Sequence, residues 1–293
     1  YPASANLISK ISSGIADDLL TSTILMFSKP IYICPAMHEE MYMNSQIQSN
    51  VLNLSKNHYI VGPRYGNLDI GDKGLGRLIE PDELLGVLNK QKGKIIVTSG
   101  PTYEEIDDVK VVTNKSSGKQ GRALAIELNA RGYEIIYIHS ASIDHIPGID
   151  NVSFHSSNDL KNKILENINN TDAIFMTAAV SDFTVKKSSG KISRSNGNIT
   201  LEFIPNEDII ATIKSSYPEI KCIAFSAQVD DELNFNKINT KKVDYLVINN
   251  ILKNNFGSDA NKVSIIDHQH LIFESEELDK NEISRDILNA LEY

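Results

Sequence analysis

From Val111 to Ala125 the chain reads Val-Val-Thr-Asn-Lys-Ser-Ser-Gly-Lys-Gln-Gly-Arg-Ala-Leu-Ala, with small hydroxyl residues and two glycines ahead of helical spacing. Such a helix start presents backbone N–H groups at the positive end of the helix dipole, which suits a phosphate. The apolar strand Ile95-Ile96-Val97, ending Thr98-Ser99-Gly100, precedes it. The run is not a Walker loop, because its upstream glycine is absent and Gln120 stands where Ser or Thr should follow the lysine. It is not the dinucleotide fingerprint either, since no G-x-G-x-x-G occurs. Taken alone, it reads either as a phosphate cradle or as a glycine-rich turn in an α/β sheet.

Four further segments sit at or just past the carboxyl ends of expected strands, where open α/β sheets bind ligands. In Met176-Thr177-Ala178-Ala179-Val180-Ser181-Asp182-Phe183, small residues permit close backbone approach. Asp182 there suits a ribose hydroxyl, a metal or a helix cap. In Gly190-Lys191-Ile192-Ser193-Arg194, the two cations suit a polyphosphate or a solvated loop. Pro205-Asn206-Glu207-Asp208-Ile209-Ile210-Ala211 carries Asn206 as an N-cap with carboxylates in the first turn. Phe225-Ser226-Ala227-Gln228 ends a strand, and Lys237 and Lys241, four apart on one helix face, could hold an anion between them or lie solvated. His268 and His270 alternate along an expected strand, but two ligands do not make a metal site, so the metal ligands stay unknown.

These residues need a sheet to position them. The chain has 293 residues, enough for one large or two ordinary domains, and 41% of them are hydrophobic. Its 29 Lys and Arg against 38 Asp and Glu leave a net charge of −9, which argues against a nucleic-acid surface. Cys34 and Cys222 lie in apolar runs and read as reduced thiols, and no apolar segment approaches a membrane span. Tyr1-Pro2-Ala3-Ser4-Ala5-Asn6 has neither signal-peptide character nor an initiator Met, so a fragment or processed product is expected.

The spacing predicts strands at 94–98, 134–139, 151–155, 172–177, 221–225 and 243–248. Helices are expected at 118–131, 158–169, 206–216, 231–241 and 277–292, with hairpins across Lys191–Phe203 and Val263–Phe273. That alternation predicts an α/β, Rossmann-like, doubly wound and mostly parallel sheet. Ahead of the polar stretch Asn89–Gly93, helices are expected over 7–20, 39–54 and after Pro81, strands at 31–34 and 59–61, and a glycine-rich loop over 62–76. These are too few strands for a self-sufficient sheet. The expected domains are therefore 1–90, partial, and 91–293.

In their order, Thr98 to Asp107, Asn114 to Gly121, Ala178 to Phe183, Lys191-Ile192 and Lys237…Lys241 resemble the bacterial bifunctional phosphopantothenoylcysteine decarboxylase/phosphopantothenate–cysteine ligase family of coenzyme A biosynthesis. The resemblance runs through 93–293 and covers 1–90 in part. It implies a cytoplasmic ligase that joins 4′-phosphopantothenate to cysteine through an acyl-cytidylate, with CTP as substrate and Mg²⁺ as cofactor. By the same resemblance Asn114 and Lys191 are catalytic. Met176, Thr177, Ala178, Asp182, Lys191, Glu207, Asp208, Ile209, Ile210, Phe225, Lys237 and Lys241 surround the nucleotide, and Lys110, Ser116, Ser117 and Gly118 the other substrate. Lys110 stands where the family usually has Arg, which removes a bidentate fork.

The front resembles the family's flavodoxin-like, FMN-binding decarboxylase half. Pro2–Asn6 matches a flavin-side motif, Pro35–Tyr42 a P-x-M-N-x-x-M-W motif, and Gly66–Gly71 with Gly76-Arg77 the substrate flap. His38 replaces the Asn that grips the substrate carboxylate, and Ile70 replaces the flap Cys. An aliphatic side chain cannot transfer a proton, and Cys34 lies outside the flap, so decarboxylase activity is expected to be lost. The resemblance also implies a homodimer through the ligase domain, a higher homo-oligomer where the flavoprotein domain is complete, and neither nucleic-acid nor membrane partners. Two other readings remain: a non-catalytic nucleotide- or flavin-binding remnant, and an NAD(P)-type Rossmann oxidoreductase, which the missing fingerprint disfavours.

Overall fold

The computed structural model describes residues 1–68, 71–193, 197–228, 233, 235–250 and 260–293. It divides the chain into two compact units, Tyr1–Asn89 and Lys90–Tyr293. In the front unit, α1 (Ala5–Ser13) is capped by Ser4 and closed by Gly14 at φ 69°. The single helix expected over 7–20 therefore splits. A left-handed glycine ends α1, as helices often end where no Cβ opposes that conformation, and Asp18 opens α2 (Leu19–Met26) through a capping box with Thr21. β1 (Tyr32–Ile33) follows, and the helix expected over 39–54 becomes α3 (Glu39–Tyr42) and α4 (Ser45–Leu54). The break falls at Asn44, whose side chain accepts from Gln46 N and caps α4.

β2 (Tyr59–Ile60) pairs in parallel with β1. The loop expected over 62–76 is instead an antiparallel hairpin, β3 (Arg64–Asn67) and β4 (Lys73–Arg77). Its glycine content reflects crowding: a Cβ on Gly74 would meet Glu39 and one on Gly76 would meet the Met37 carbonyl. α5 (Pro81–Leu88) ends the unit. Its core joins Ile8 to Ile33, Ile47, Val51, Leu54 and Ile60.

The rear unit begins with β5 (Lys94–Ser99), then a hairpin of β6 (Tyr103–Glu105) and β7 (Val111–Thr113) that the sequence pattern does not show. Three-residue strands are too short for alternation to register. There follow α6 (Lys119–Ala130), β8 (Glu134–Ser140), β9 (Asp150–Phe154), α7 (Ser157–Asn167), β10 (Ala173–Met176), β11 (Phe183–Val185), β12 (Phe203–Pro205), α8 (Ile209–Ser216) and β13 (Lys221–Gln228). α9 (Asn236–Lys241), β14 (Tyr245–Asn250), β15 (Ala260–Asn261), β16 (Val263–Ile266), β17 (Leu271–Glu274), β18 (Leu278–Asp279) and α10 (Lys280–Ala290) complete it. The hairpin expected across 191–203 is corrected: Phe203–Pro205 pairs with Phe183–Val185, on the far side of a long excursion. The one expected across 263–273 is β16–β17.

Among the described residues the main sheet runs β17-β16-β14-β13-β10-β5-β8-β9, parallel from β14 to β9 with antiparallel β16 and β17 at one edge. This is the doubly wound, mostly parallel sheet that the alternation predicts. The chain enters at β5, winds out through β8 and β9, then returns to β10 and winds out the other way. That reversal opens a crevice between the carboxyl ends of β5 and β10, where such sheets take their ligands. Leu124 and Leu128 of α6 and Ile287 of α10 pack on one face of the sheet; Leu160, Ile210 and Ile238 of α7, α8 and α9 pack on the other. No described helix is long and apolar enough to cross a membrane.

Candidate active site

At the crevice the strand ends are stitched together by small polar groups. Thr98 Oγ1 donates to Met176 Sδ at 3.3 Å and accepts from Ala178 N at 3.1 Å, while Thr177 Oγ1 donates to the Thr98 carbonyl. Ala179 N donates to Gly100 O at 2.9 Å and Thr102 N to Ala179 O at 3.3 Å. Gly100 (φ 87°) is required here, because a Cβ would lie 2.7 Å from Ser140 Cβ.

The Asn114–Gly121 run closes over this seam. Gly118 (φ 69°) is the N-cap of α6, and its carbonyl accepts from Ser99 Oγ at 2.8 Å. Gly121 lets the first turn of α6 lie against Ser99 and Thr177, since a Cβ there would overlap both. Asn114 Nδ2 donates to Ala179 O at 3.3 Å and to Val180 O at 2.9 Å. Two segments far apart in sequence are thus joined by one exposed amide, beside half-buried Ser116, Ser117 and Gly118.

Asp182 is exposed, and among the described residues its carboxylate makes no hydrogen bond or ion pair. Its backbone carbonyl accepts from Asn206 N at 2.8 Å. Asn206 is not the helix cap that the sequence suggests: its side chain donates to Ser181 O at 2.9 Å, and Asp208 caps α8 by accepting from Ala211 N at 3.2 Å. Glu207 accepts from Lys161 at 2.6 Å and from Thr212, and these bonds hold its carboxyl below the usual range. Ile209 and Ile210 turn their side chains into the core, leaving backbone N–H groups as what they offer a ligand.

Phe225 is half-buried against the opposite core face. Lys241 pairs with Asp208 at 2.9 Å, so the anion beside this lysine is a carboxylate of the chain itself. Lys237 and the exposed Lys191 have no ion-pair partner among the described residues. Lys110 pairs with Asp107 at 2.7 Å and donates to Ile192 O at 3.2 Å. Asp107 was not named as a site residue, although it ends the Thr98–Asp107 motif; it lies at what proves to be a hairpin tip.

His268 and His270 lie in the β16–β17 turn rather than along a strand, and His268 Nδ1 faces Asn239 Oδ1 at 3.1 Å. Among the described residues no three His, Cys, Asp or Glu side chains converge.

In the front unit Ala3 N donates to Cys34 O at 2.8 Å and Ala36 N to Ala3 O at 3.0 Å, joining the Pro2–Asn6 and Pro35–Tyr42 motifs. The hairpin β3–β4 closes on the second motif: Met37 N donates to Gly76 O at 3.1 Å and Leu75 N to Glu39 Oε1 at 3.0 Å. His38 sits between Glu40 and Asp72, 3.2 Å from the latter, and its bond to Glu40 raises its pKa. Burial pushes the Cys34 thiol up. Ile70 lies outside the described residues.

Residues 90–293 match the family model of the DNA/pantothenate metabolism flavoprotein C-terminal domain, and 1–93 match that of the Flavoprotein family. The Coenzyme A biosynthesis bifunctional protein CoaBC of Bacillus subtilis is 34% identical over 282 residues, which span 90% of this chain and 70% of that protein. A Cysteine/Cysteine sulfinic acid decarboxylase of an unknown prokaryotic organism is 32% identical over 316 residues, spanning 99% of this chain and 87% of that one. The crystal structure of the C-terminal domain of a Coenzyme A biosynthesis bifunctional protein CoaBC superposes with a TM-score of 0.54 at 28% identity, over 69% of this chain and 97% of that chain.

Proposed function

We propose, from the premise that the chain belongs to the family of coenzyme A biosynthesis bifunctional proteins, that residues 91–293 form a phosphopantothenate–cysteine ligase domain behind a flavoprotein-type domain, residues 1–90. The carboxylate of 4′-phosphopantothenate attacks the α-phosphorus of CTP, releasing pyrophosphate and forming an acyl-cytidylate. The cysteine amine then attacks the acyl carbon, losing a proton and expelling CMP. The obstacle is charge, since an anionic carboxylate must approach an anionic triphosphate. The N-terminus of α6 and the cations Lys191, Lys237 and Lys241 supply positive potential at the crevice, where preorganised donors act most strongly.

One observation carries this reading: Asn114 donates from the α6 approach to both Ala179 O and Val180 O past β10, at the switch point. By turning one Nδ2–H from these backbone carbonyls, a neutral amide there can steady the acyl carbonyl of the intermediate without trapping a charged product. Lys241 exchanges its Asp208 partner for phosphate when the nucleotide enters. Asp182, with no competing partner among the described residues, fits a ribose hydroxyl or a metal-bound water. A divalent cation would be held chiefly by the triphosphate oxygens. The exposed Phe183, Phe203 and Ile204 of the β11–β12 ribbon support dimerisation through this domain.

For the front unit we propose no decarboxylase activity. His38 is engaged by two carboxylates, and Ile70 cannot donate a proton. At the flap, Gly74 and Gly76 lie close against Glu39 and Met37, so these glycines leave little room for a substrate. The test is release of pyrophosphate from CTP, and separately from ATP, with 4′-phosphopantothenate and cysteine. Turnover with CTP supports the reading, turnover with ATP alone overturns the choice of nucleotide, and none with either overturns the ligase.

A further inference from the structure

The exposed Lys191 lies outside any strand or helix, between β11 and β12, yet its backbone neighbours are held on both sides. Asp107, fully buried as a side chain, is the centre of that hold. Its Oδ1 accepts from Val109 N and Lys110 N, each at 2.7 Å. Its Oδ2 accepts from Lys110 Nζ at 2.7 Å and from Ile192 N at 3.0 Å. Lys110 Nζ in turn donates to Ile192 O. Both polar groups of the residue after Lys191 are therefore gripped by one ion pair.

The residue before Lys191 is held as well: Gly190 N donates to Asp108 Oδ2 at 3.0 Å, and Ser188 N to Ile106 O at 2.9 Å. Lys187 pairs with Glu105 at 2.9 Å and Asp108 at 3.1 Å. All these partners belong to the tip of the β6–β7 hairpin, and β7 runs directly into Asn114.

We infer that Asp107 is a positioning residue of the ligase reaction: through Lys110 and the Ile192 backbone it holds Lys191 in register with Asn114, so that one hairpin sets both. The inference rests on the ligase reading. It changes the part played by Lys110, whose ammonium is spent on Asp107 and Ile192 O and serves as a strut rather than as a contact to the substrate. Charge-assisted bonds to a buried carboxylate give such a strut its rigidity. Bonding of Asp107 to Lys110, reinforced by the backbone N–H groups, keeps its carboxyl far below the usual range, so it stays ionised at working pH.

The test is a double-mutant cycle in the intact chain, read as kcat for pyrophosphate release. Asp107→Asn puts an amide where two donors converge and lowers kcat by about 10- to 100-fold, the scale of a misplaced catalytic group. Lys191→Ala lowers it too, and the double variant is no slower than Lys191→Ala alone, because there is then no ammonium left to position. Multiplicative losses would show that Asp107 acts independently of Lys191 and would overturn the inference while leaving the ligase standing. Should Asp107→Asn fail to fold, Lys110→Met removes the ammonium that joins Asp107 Oδ2 to Ile192 O and enters the same cycle with the same two outcomes. A wild-type chain silent with CTP and ATP fails at the ligase itself and takes this inference with it.

Discussion

The front and rear units carry motifs of one family but treat their polar groups in opposite ways. In the rear unit the glycines bring backbone together around a crevice: Gly100, Gly118 and Gly121 let β5, α6 and the β10 end meet, while Lys191, Lys237 and Asp182 keep their charges unpaired among the described residues. In the front unit Gly74 and Gly76 bring β4 against Glu39 and Met37, and His38 is closed off between Glu40 and Asp72. The same residue types make a receptive site in one place and a self-satisfied one in the other. What separates them is the eight-stranded, mostly parallel sheet, whose reversal of strand order opens a crevice between β5 and β10; the front unit shows one parallel pair of two-residue strands among its described residues.

The sharpest way to break this contrast is Asn114→Ala. Removing a preorganised donor from a reaction centre costs about 100- to 1,000-fold in rate, and we expect a loss of that size in cysteine-dependent turnover. Undiminished turnover would place the chemistry elsewhere.

Next comes a matched pair of glycine substitutions. Gly121→Ala gains up to about 1 kcal/mol in helix propensity. Its methyl overlaps Ser99 and Thr177, however, and overpacking costs about 1–3 kcal/mol, so a net loss of stability with reduced turnover is expected in thermal melts and the pyrophosphate assay. Gly76→Ala presses on the Met37 carbonyl and destabilises the front unit while leaving pyrophosphate release unchanged. Loss of release in Gly76→Ala would show that the two units do not work separately.

The smallest effect is a pH dependence. Bonding to Glu40, with Asp72 beside it, raises the His38 pKa above the ordinary 6.5. The protonated ring therefore stabilises the front unit fully below its unfolded value, and the gain is lost as pH rises through the higher folded value. Melting curves across that window should show a slight fall that His38→Asn flattens; an equal slope in the variant would remove the role of this pair.

Much of the rear fold was legible because its strands are near-continuous apolar runs separated by amphipathic helices, a pattern that local periodicity reports directly. The front helices were misjudged where single residues, Gly14 and Asn44, override an otherwise helical composition. The β3–β4 hairpin was hidden because its glycines answer to neighbours distant in sequence. Of the candidate site, Asn114 and Lys191 could be named from a motif order, but that order gave Asp107, at the end of the Thr98–Asp107 motif, no role. A buried aspartate and a turn aspartate look alike until the chain at residue 192 folds back onto it.

From the sequence alone came the α/β class, the two-part organisation and the residue types at the strand ends, since all three are written in nearest-neighbour patterns. Tertiary structure decided which charges are spent and which are free. Lys110 and Lys241 are paired with Asp107 and Asp208, Ile209 and Ile210 face the core, and Lys191 stands exposed between two anchored neighbours. Those outcomes depend on contacts between segments up to 85 residues apart, and no local pattern encodes a partner at that distance.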